Sequence, residues 1–188
     1  MKTESTVKFV LRLALTLLII SAVTAGLLAY VNSITAPVIE QLNVQKQIDA
    51  MAAVVPDADT AEQIEYTDPN GVVLEVYQTA SAYAVKVAAP GGFGGSIEMM
   101  VGVDAEGNVL GISIINHSET AGLGAVAAEN TSKGEGFRNQ FIGQSGSVAV
   151  TKDGGTIEAI TGATITSRAV STGVNAALNC VAELANKG

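Results

Sequence analysis

An α+β fold behind one N-terminal transmembrane helix is what the sequence predicts, on three observations. An uncharged apolar run comes first, short β-branched stretches separated by turn residues fill the middle, and an amphipathic helical pattern closes the chain. Strands grouped in mid-chain with helices at both ends indicate a mainly antiparallel sheet packed with helices.

The first element is Leu13–Val31 (LALTLLIISAVTAGLLAYV), and no charged side chain appears after it until Glu40. Its nineteen residues, as a helix, span about 28 Å, close to the roughly 30 Å of hydrocarbon in a bilayer. Tyr30 falls at the interfacial position that aromatics favour. Lys2, Lys8 and Arg12 precede the run, which keeps residues 1–12 cytoplasmic, makes 13–31 the membrane span and sends the rest to the other side. A cleaved signal peptide is the competing reading, with Ala22, Ala25 and Ala29 as small residues near possible cleavage points. Such peptides have a shorter apolar core of about 7–15 residues, which favours a retained anchor.

Residues 32–56 read as a connecting helix, with Pro37 in its first turn and Val38, Leu42, Ile48, Met51 and Val55 at helical spacing before Pro56. The body, 57–188, opens on an acidic loop or short helical turn over 57–65. The period then changes to that of strands: Gly71–Thr79 after a DPNG turn, Ala82–Ala89, Ser96–Asp104, and Asn108–Asn116 after a DAEG turn. The intervening Pro90–Gly95 (PGGFGG) reads as a flexible connector; it lacks the lysine and following helix of a phosphate-binding P-loop. Gly122–Asn130 suggests a short helix, and Gly134–Gly146 irregular chain. A last hairpin is expected between Ser147–Val150 and Thr156–Ile160. Val170, Val174, Ala177, Leu178, Val181, Leu184 and Ala185 mark one face of a final helix, with Cys180 beside that stripe as a core residue.

Composition narrows the chemistry. After Arg12, seven basic residues stand against seventeen acidic ones, a charge that repels nucleic acid. One cysteine and one histidine (Cys180, His117) supply neither an internal disulfide, a four-thiolate iron–sulfur cluster, a haem attachment pair nor a histidine metal site. No metal site is expected. If this chain moves electrons, the carrier is organic.

The segment Glu158–Ser167 (EAITGATITS) joins a short strand to the final helix. Thr161, Thr164, Thr166 and Ser167 bring four hydroxyls to a helix N-terminus, where backbone N–H groups lack partners and phosphate binds readily. The bland alternative is that these residues cap the helix. Arg168, in the first turn, has the wrong sign for the helix dipole, as though an anion lay beside it.

Thr161-Gly162-Ala163-Thr164 resembles the Ser/Thr-Gly-Ala-Thr motif of FMN-binding components of two membrane complexes. These are the G component of the Rnf electron-transport complex and the C component of the Na⁺-translocating NADH:quinone oxidoreductase. His117–Gly124 (HSETAGLG) resembles the same family's segment around Glu-Thr-Pro-Gly-Leu-Gly, with Ala121 in place of proline. The resemblance covers nearly the whole chain: anchor, paired strands and the order of the motifs. It implies that a separate flavin transferase, using FAD, esterifies Thr164 to the FMN phosphate. It further implies that Thr161, Gly162, Ala163, Glu119, Thr120, Gly122, Leu123 and Gly124 surround the cofactor. The acidic residue six positions before the acceptor is usually Asp; here Glu158 keeps the charge on a longer side chain.

The length favours the Rnf-type component. The resemblance then implies an electron carrier in the cell (inner) membrane, within a translocase that couples electron flow between ferredoxin and NAD to transport of Na⁺ or H⁺. Its partners would be the other membrane subunits, and it would have no catalytic residues or substrate chemistry of its own. The rival readings are the quinone-reductase component, and an anchored extracytoplasmic flavin- or ligand-binding module outside any such complex.

Overall fold

A computed structural model describes residues 6–186; Lys2 and Glu4 of the charged N-terminus lie outside the described residues. Two compact units divide at Gln45/Lys46. The first holds most of helix α1 (Thr6–Val54). The apolar run and the expected connecting helix are one continuous element, and Pro37 sits inside it rather than starting a second helix. Its ring removes one backbone N–H from the helical ladder. Among the described residues this is the one helix long and apolar enough to cross a membrane, with a mean hydropathy of 2.2. Its large apolar side chains from Phe9 to Val31 are exposed.

The second unit is a five-stranded antiparallel meander in sequence order: β1 (Glu62–Ile64), β2 (Val73–Gln78), β3 (Ala82–Gly92), β4 (Gly95–Asp104) and β5 (Val109–Asn116). Turn chemistry pins the ends. The Asp68 carboxylate accepts from the N–H groups of Asn70, Val72 and Val73. Asp104 accepts from the backbone N–H and side-chain amide of Asn108. Helix α2 (Ser132–Asn139) and helix α3 (Thr164–Ala185) complete the unit.

Alternation along β3 and β4 sorts their residues between two faces. Val85, Val87, Ile97, Met99, Val101 and Val103 pack with Val170, Val174, Ala177, Leu178 and Val181 of α3, burying the expected stripe and Cys180. Leu184 is only partly buried and Ala185 is exposed. On the opposite face Ala82, Ala84 and Met100 meet Ala50, Met51 and Val54 at the end of α1 and Val55 just after it. A small residue is needed there: a side chain at Gly102 would collide with the Val54 carbonyl.

Three further expectations need correction. The PGGFGG stretch is no loose connector. β3 continues to Gly92 and β4 resumes at Gly95, leaving Phe93-Gly94 as a tight tip. The irregular 134–146 stretch contains most of α2, capped by Thr131, whose side chain accepts from the Gly134 N–H. Phe137 and Phe141, buried edge to face with centroids 5.4 Å apart, fix it to the core. The last hairpin is replaced by one parallel bridge, Val150 to Ile157, around a 3-10 turn at Thr151–Asp153. Two side-chain amides explain this. Asn175 takes both backbone groups of Val148, and Gln140 takes both of Glu158, so neither is left for a hairpin ladder.

Candidate functional site

Seven of the nine expected residues meet in one cavity of about 340 Å³. Glu119, Thr120, Leu123, Gly124, Gly162, Ala163 and Thr164 line it, together with Phe93, Lys152, Ile165 and Thr166. Thr161 and Gly122 do not: they line a neighbouring groove of about 600 Å³ that also holds Glu158 and Gln140.

Glu119 is the hub of the cavity. One carboxylate oxygen accepts from the Gly94 N–H at the strand tip (3.0 Å), the other from the Thr166 hydroxyl in the first turn of α3 (2.5 Å). Its own N–H donates to Nδ1 of His117 at 3.2 Å. Three segments distant in sequence are thereby held in register. The approach is close enough to demand glycine: a Cβ on Gly124 would lie 2.3 Å from Glu119 Oε2 and 2.4 Å from Thr166 Oγ1. Gly162 has φ of +79°, a left-handed conformation that costs other residues energy.

The helix start is not a cap of the ordinary kind. Ala163 is the N-cap residue and offers no side-chain acceptor to the first turn. The four hydroxyls do other things. Ser167 is buried; its hydroxyl donates to the Ala163 carbonyl and accepts from the Ile160 N–H. Thr166 is buried and engaged with Glu119. Thr161 is exposed, on the other groove. Thr164, half-buried, faces the cavity, and its Oγ1 accepts from Lys152 Nζ at 3.3 Å. The first N–H groups of α3 therefore have neither a helical partner nor a capping side chain.

The anion expected beside Arg168 is an internal one. Its guanidinium grips Asp153 with two bonds of 2.6 Å. That pair holds the Asp153 carboxyl below its ordinary range and the guanidinium above its own.

These residues fit a flavin mononucleotide. An uncapped helix N-terminus, a lysine and a threonine hydroxyl suit its phosphate, and Phe93, Leu123 and Ile165 offer apolar surface to its ring. Lys152 and Ile165 were not among the expected contacts; Thr166 was expected only as one of four hydroxyls at the helix start, and Phe93 only as part of a connector. Phe93, the one large side chain in PGGFGG, was a signal; Lys152 gave none. Among the described residues no acid, histidine or cysteine cluster could hold a metal ion.

The cavity-lining residues all fall within a stretch that matches a known family. A family model described as an FMN-binding domain matches residues 92–179, and one described as the RnfG N-terminal region matches residues 1–54. The chain is 37 % identical, over 89 % of both chains, to the G component of the Na⁺-translocating ferredoxin:NAD⁺ oxidoreductase complex of Acetobacterium woodii. It is 38 % identical, over 82 % of both, to the G component of the proton-translocating ferredoxin:NAD⁺ oxidoreductase complex of Clostridium ljungdahlii. It is 35 % identical to the G component of the ion-translocating oxidoreductase complex of Erwinia tasmaniensis, over 82 % of this chain and 81 % of that one. The chain belongs to the RnfG family of electron-transport complex subunits.

Proposed function

We propose that this chain relays electrons in a membrane-bound, ion-translocating ferredoxin:NAD⁺ oxidoreductase complex, through FMN esterified to Thr164. Residues 13–31 anchor it in the cell membrane, residues 32–56 lead out, helical as far as Val54, and residues 57–188 form an extracytoplasmic FMN-binding domain. Its partners are the other membrane subunits and, during maturation, a flavin transferase.

The observation that carries the attachment site is the fate of the four hydroxyls. Ser167 is buried in hydrogen bonds, Thr166 lines the cavity but its hydroxyl is engaged by Glu119, Thr161 opens on a different groove, and Thr164 lines the cavity with its oxygen beside an ammonium group. In attachment the Thr164 hydroxyl gives up its proton and bonds to phosphorus in the FMN half of FAD, while the phosphoanhydride bond breaks and AMP leaves. Once bound, FMN supplies the redox chemistry, accepting and releasing one or two electrons.

The chain contributes position. Glu119 holds the Phe93 tip and the start of α3 at fixed places around the cavity. Phe93, Leu123 and Ile165 present apolar side chains that limit water at the ring. The partner subunits and the coupled ion, Na⁺ or H⁺, follow from what the relatives are named for.

Flavin fluorescence in a denaturing gel tests the site. Thr164→Val, which keeps the shape but removes the hydroxyl, is expected to abolish the band in cells holding the transferase. Thr161→Val is expected to retain it. Fluorescence surviving in Thr164→Val refutes the acceptor, and equal loss in both variants leaves Thr164 with no special claim.

A further inference from the structure

Lys152 is a residue that neither sequence motif contains. It is the middle residue of the 3-10 turn Thr151–Asp153, and its Nζ lies 3.3 Å from Thr164 Oγ1 in the lining of the same cavity. At that length the hydrogen bond itself is weak. Its importance is the place it gives a positive charge. Among the described residues no carboxylate lies within salt-bridge range of this ammonium.

The adjacent acid, Asp153, is already occupied. Arg168 binds both its oxygens from α3, one helical turn beyond Thr164. The pair has two consequences. It ties the 151–153 turn to the first turns of α3, which sets Lys152 over Thr164. It also engages both Asp153 oxygens, so that Lys152, which feels that carboxylate only at a distance, keeps its ammonium beside the hydroxyl with no carboxylate bound to it.

We propose that Lys152 holds the phosphate carried by Thr164, with Arg168–Asp153 as the pair that positions it; this rests on Thr164 being the attachment site. A phosphodiester at Thr164 would be a monoanion, with its two non-bridging oxygens on the phosphorus next to the Oγ1 that Lys152 approaches. An ammonium near Oγ1 is within reach of oxygens on the phosphorus bonded to it, in a charge-assisted contact. The same ammonium meets the diphosphate of FAD during attachment. There the Oγ1–P bond forms, the P–O–P bond breaks, AMP leaves with the bridging oxygen and the hydroxyl proton is released. Lys152 changes no bond in that step. It lowers the cost of bringing the anion to the hydroxyl.

The test uses the full chain in detergent, produced without flavin transferase so that Thr164 is bare. Binding of FMN and of riboflavin, which differ only by the phosphate, is followed by flavin fluorescence. Lys152→Gln is expected to weaken FMN binding about tenfold, the scale of one charge-assisted hydrogen bond, and to leave riboflavin unchanged. Lys152→Arg is expected to keep most of the preference, and Asp153→Asn to lose part of it. With transferase and FAD added, attachment followed by mass is expected to slow by a similar factor in Lys152→Gln, at an unchanged unfolding temperature. An unchanged FMN-to-riboflavin ratio and attachment rate in Lys152→Gln overturn the proposal, and so does equal loss of both ligands, which marks a structural role. Attachment persisting in Thr164→Val is a different failure, one that removes the site assignment itself.

Discussion

Glu119 shows how one side chain can organise a cofactor site without touching chemistry. Its two oxygens accept one bond each from Gly94 and Thr166; glutamine can accept from Gly94 and donate to a reversed Thr166 hydroxyl, but it loses the charge that strengthens both bonds. Glu119→Gln is therefore expected to cost about 0.5–1.5 kcal/mol of stability, the scale of one hydrogen bond weakened by loss of charge. Thr166→Val removes the partner from the other side, so the double variant is expected to lose less than the sum of the single losses. Thermal unfolding of the four proteins checks this, and strict additivity would mean that the two residues are not coupled. Thr164, Glu119 and their glycine neighbours were legible in the sequence because local motifs carry them. Lys152 was not, and Phe93 showed only as the one large side chain of PGGFGG. They reach the cavity through a 3-10 turn and a strand tip, and no local pattern reports that convergence.

At the scale of elements, β2 to β5 and α3 followed from alternation, Asp-centred turns and the apolar stripe. Three-residue β1 is too short to show a period, and α2 carries two glycines in eight residues, Gly134 and Gly136, so its helical signal is faint. The bridge at Val150 depends on Asn175 and Gln140, which no local pattern foretells.

The turns and strand pairs make a prediction about acid. Burial raises the Glu75 carboxyl, but hydrogen bonds from Lys86, Tyr77 and Gln47 and the Lys86 charge outweigh it, leaving the pKa below its ordinary value. Burial likewise opposes, and the Asn108 side chain and turn N–H groups outweigh, at Asp104. Asp68 is lowered chiefly by the Val73 N–H. A carboxyl depressed in the folded state contributes stability that is fully present above the ordinary carboxylate range and lost as pH falls through the depressed value. The unfolding temperature is expected to be flat above about pH 5 and to drop below about pH 4. Asp104→Asn should lower it at neutral pH and make the acid drop shallower; an unaltered drop would show that Asp104 is not among its causes.

Across the whole molecule, one helix able to span a membrane precedes the unit that carries the cavity. The basic residues Lys2, Lys8 and Arg12 flank the apolar run on its N-terminal side, and on the other side no basic residue occurs before Lys46. That bias favours a cytoplasmic N-terminus and an extracytoplasmic body. A reporter active only outside the cytoplasm, fused after Gly188, is expected to work, and one active only inside to be silent; the reverse pattern inverts the topology. In the expected orientation electrons reach the cavity through other subunits, since this chain holds no cofactor ligands within its span. The proposed electron relay depends on a flavin being joined to the chain at one residue. The most direct measurement is the mass of the tryptic peptide Asp153–Arg168 from protein purified out of cells that hold the transferase. The account predicts a gain of one FMN less one water, with fragment ions placing it on Thr164. An unmodified peptide, or the same gain on Thr156, Thr161, Thr166 or Ser167, would contradict it.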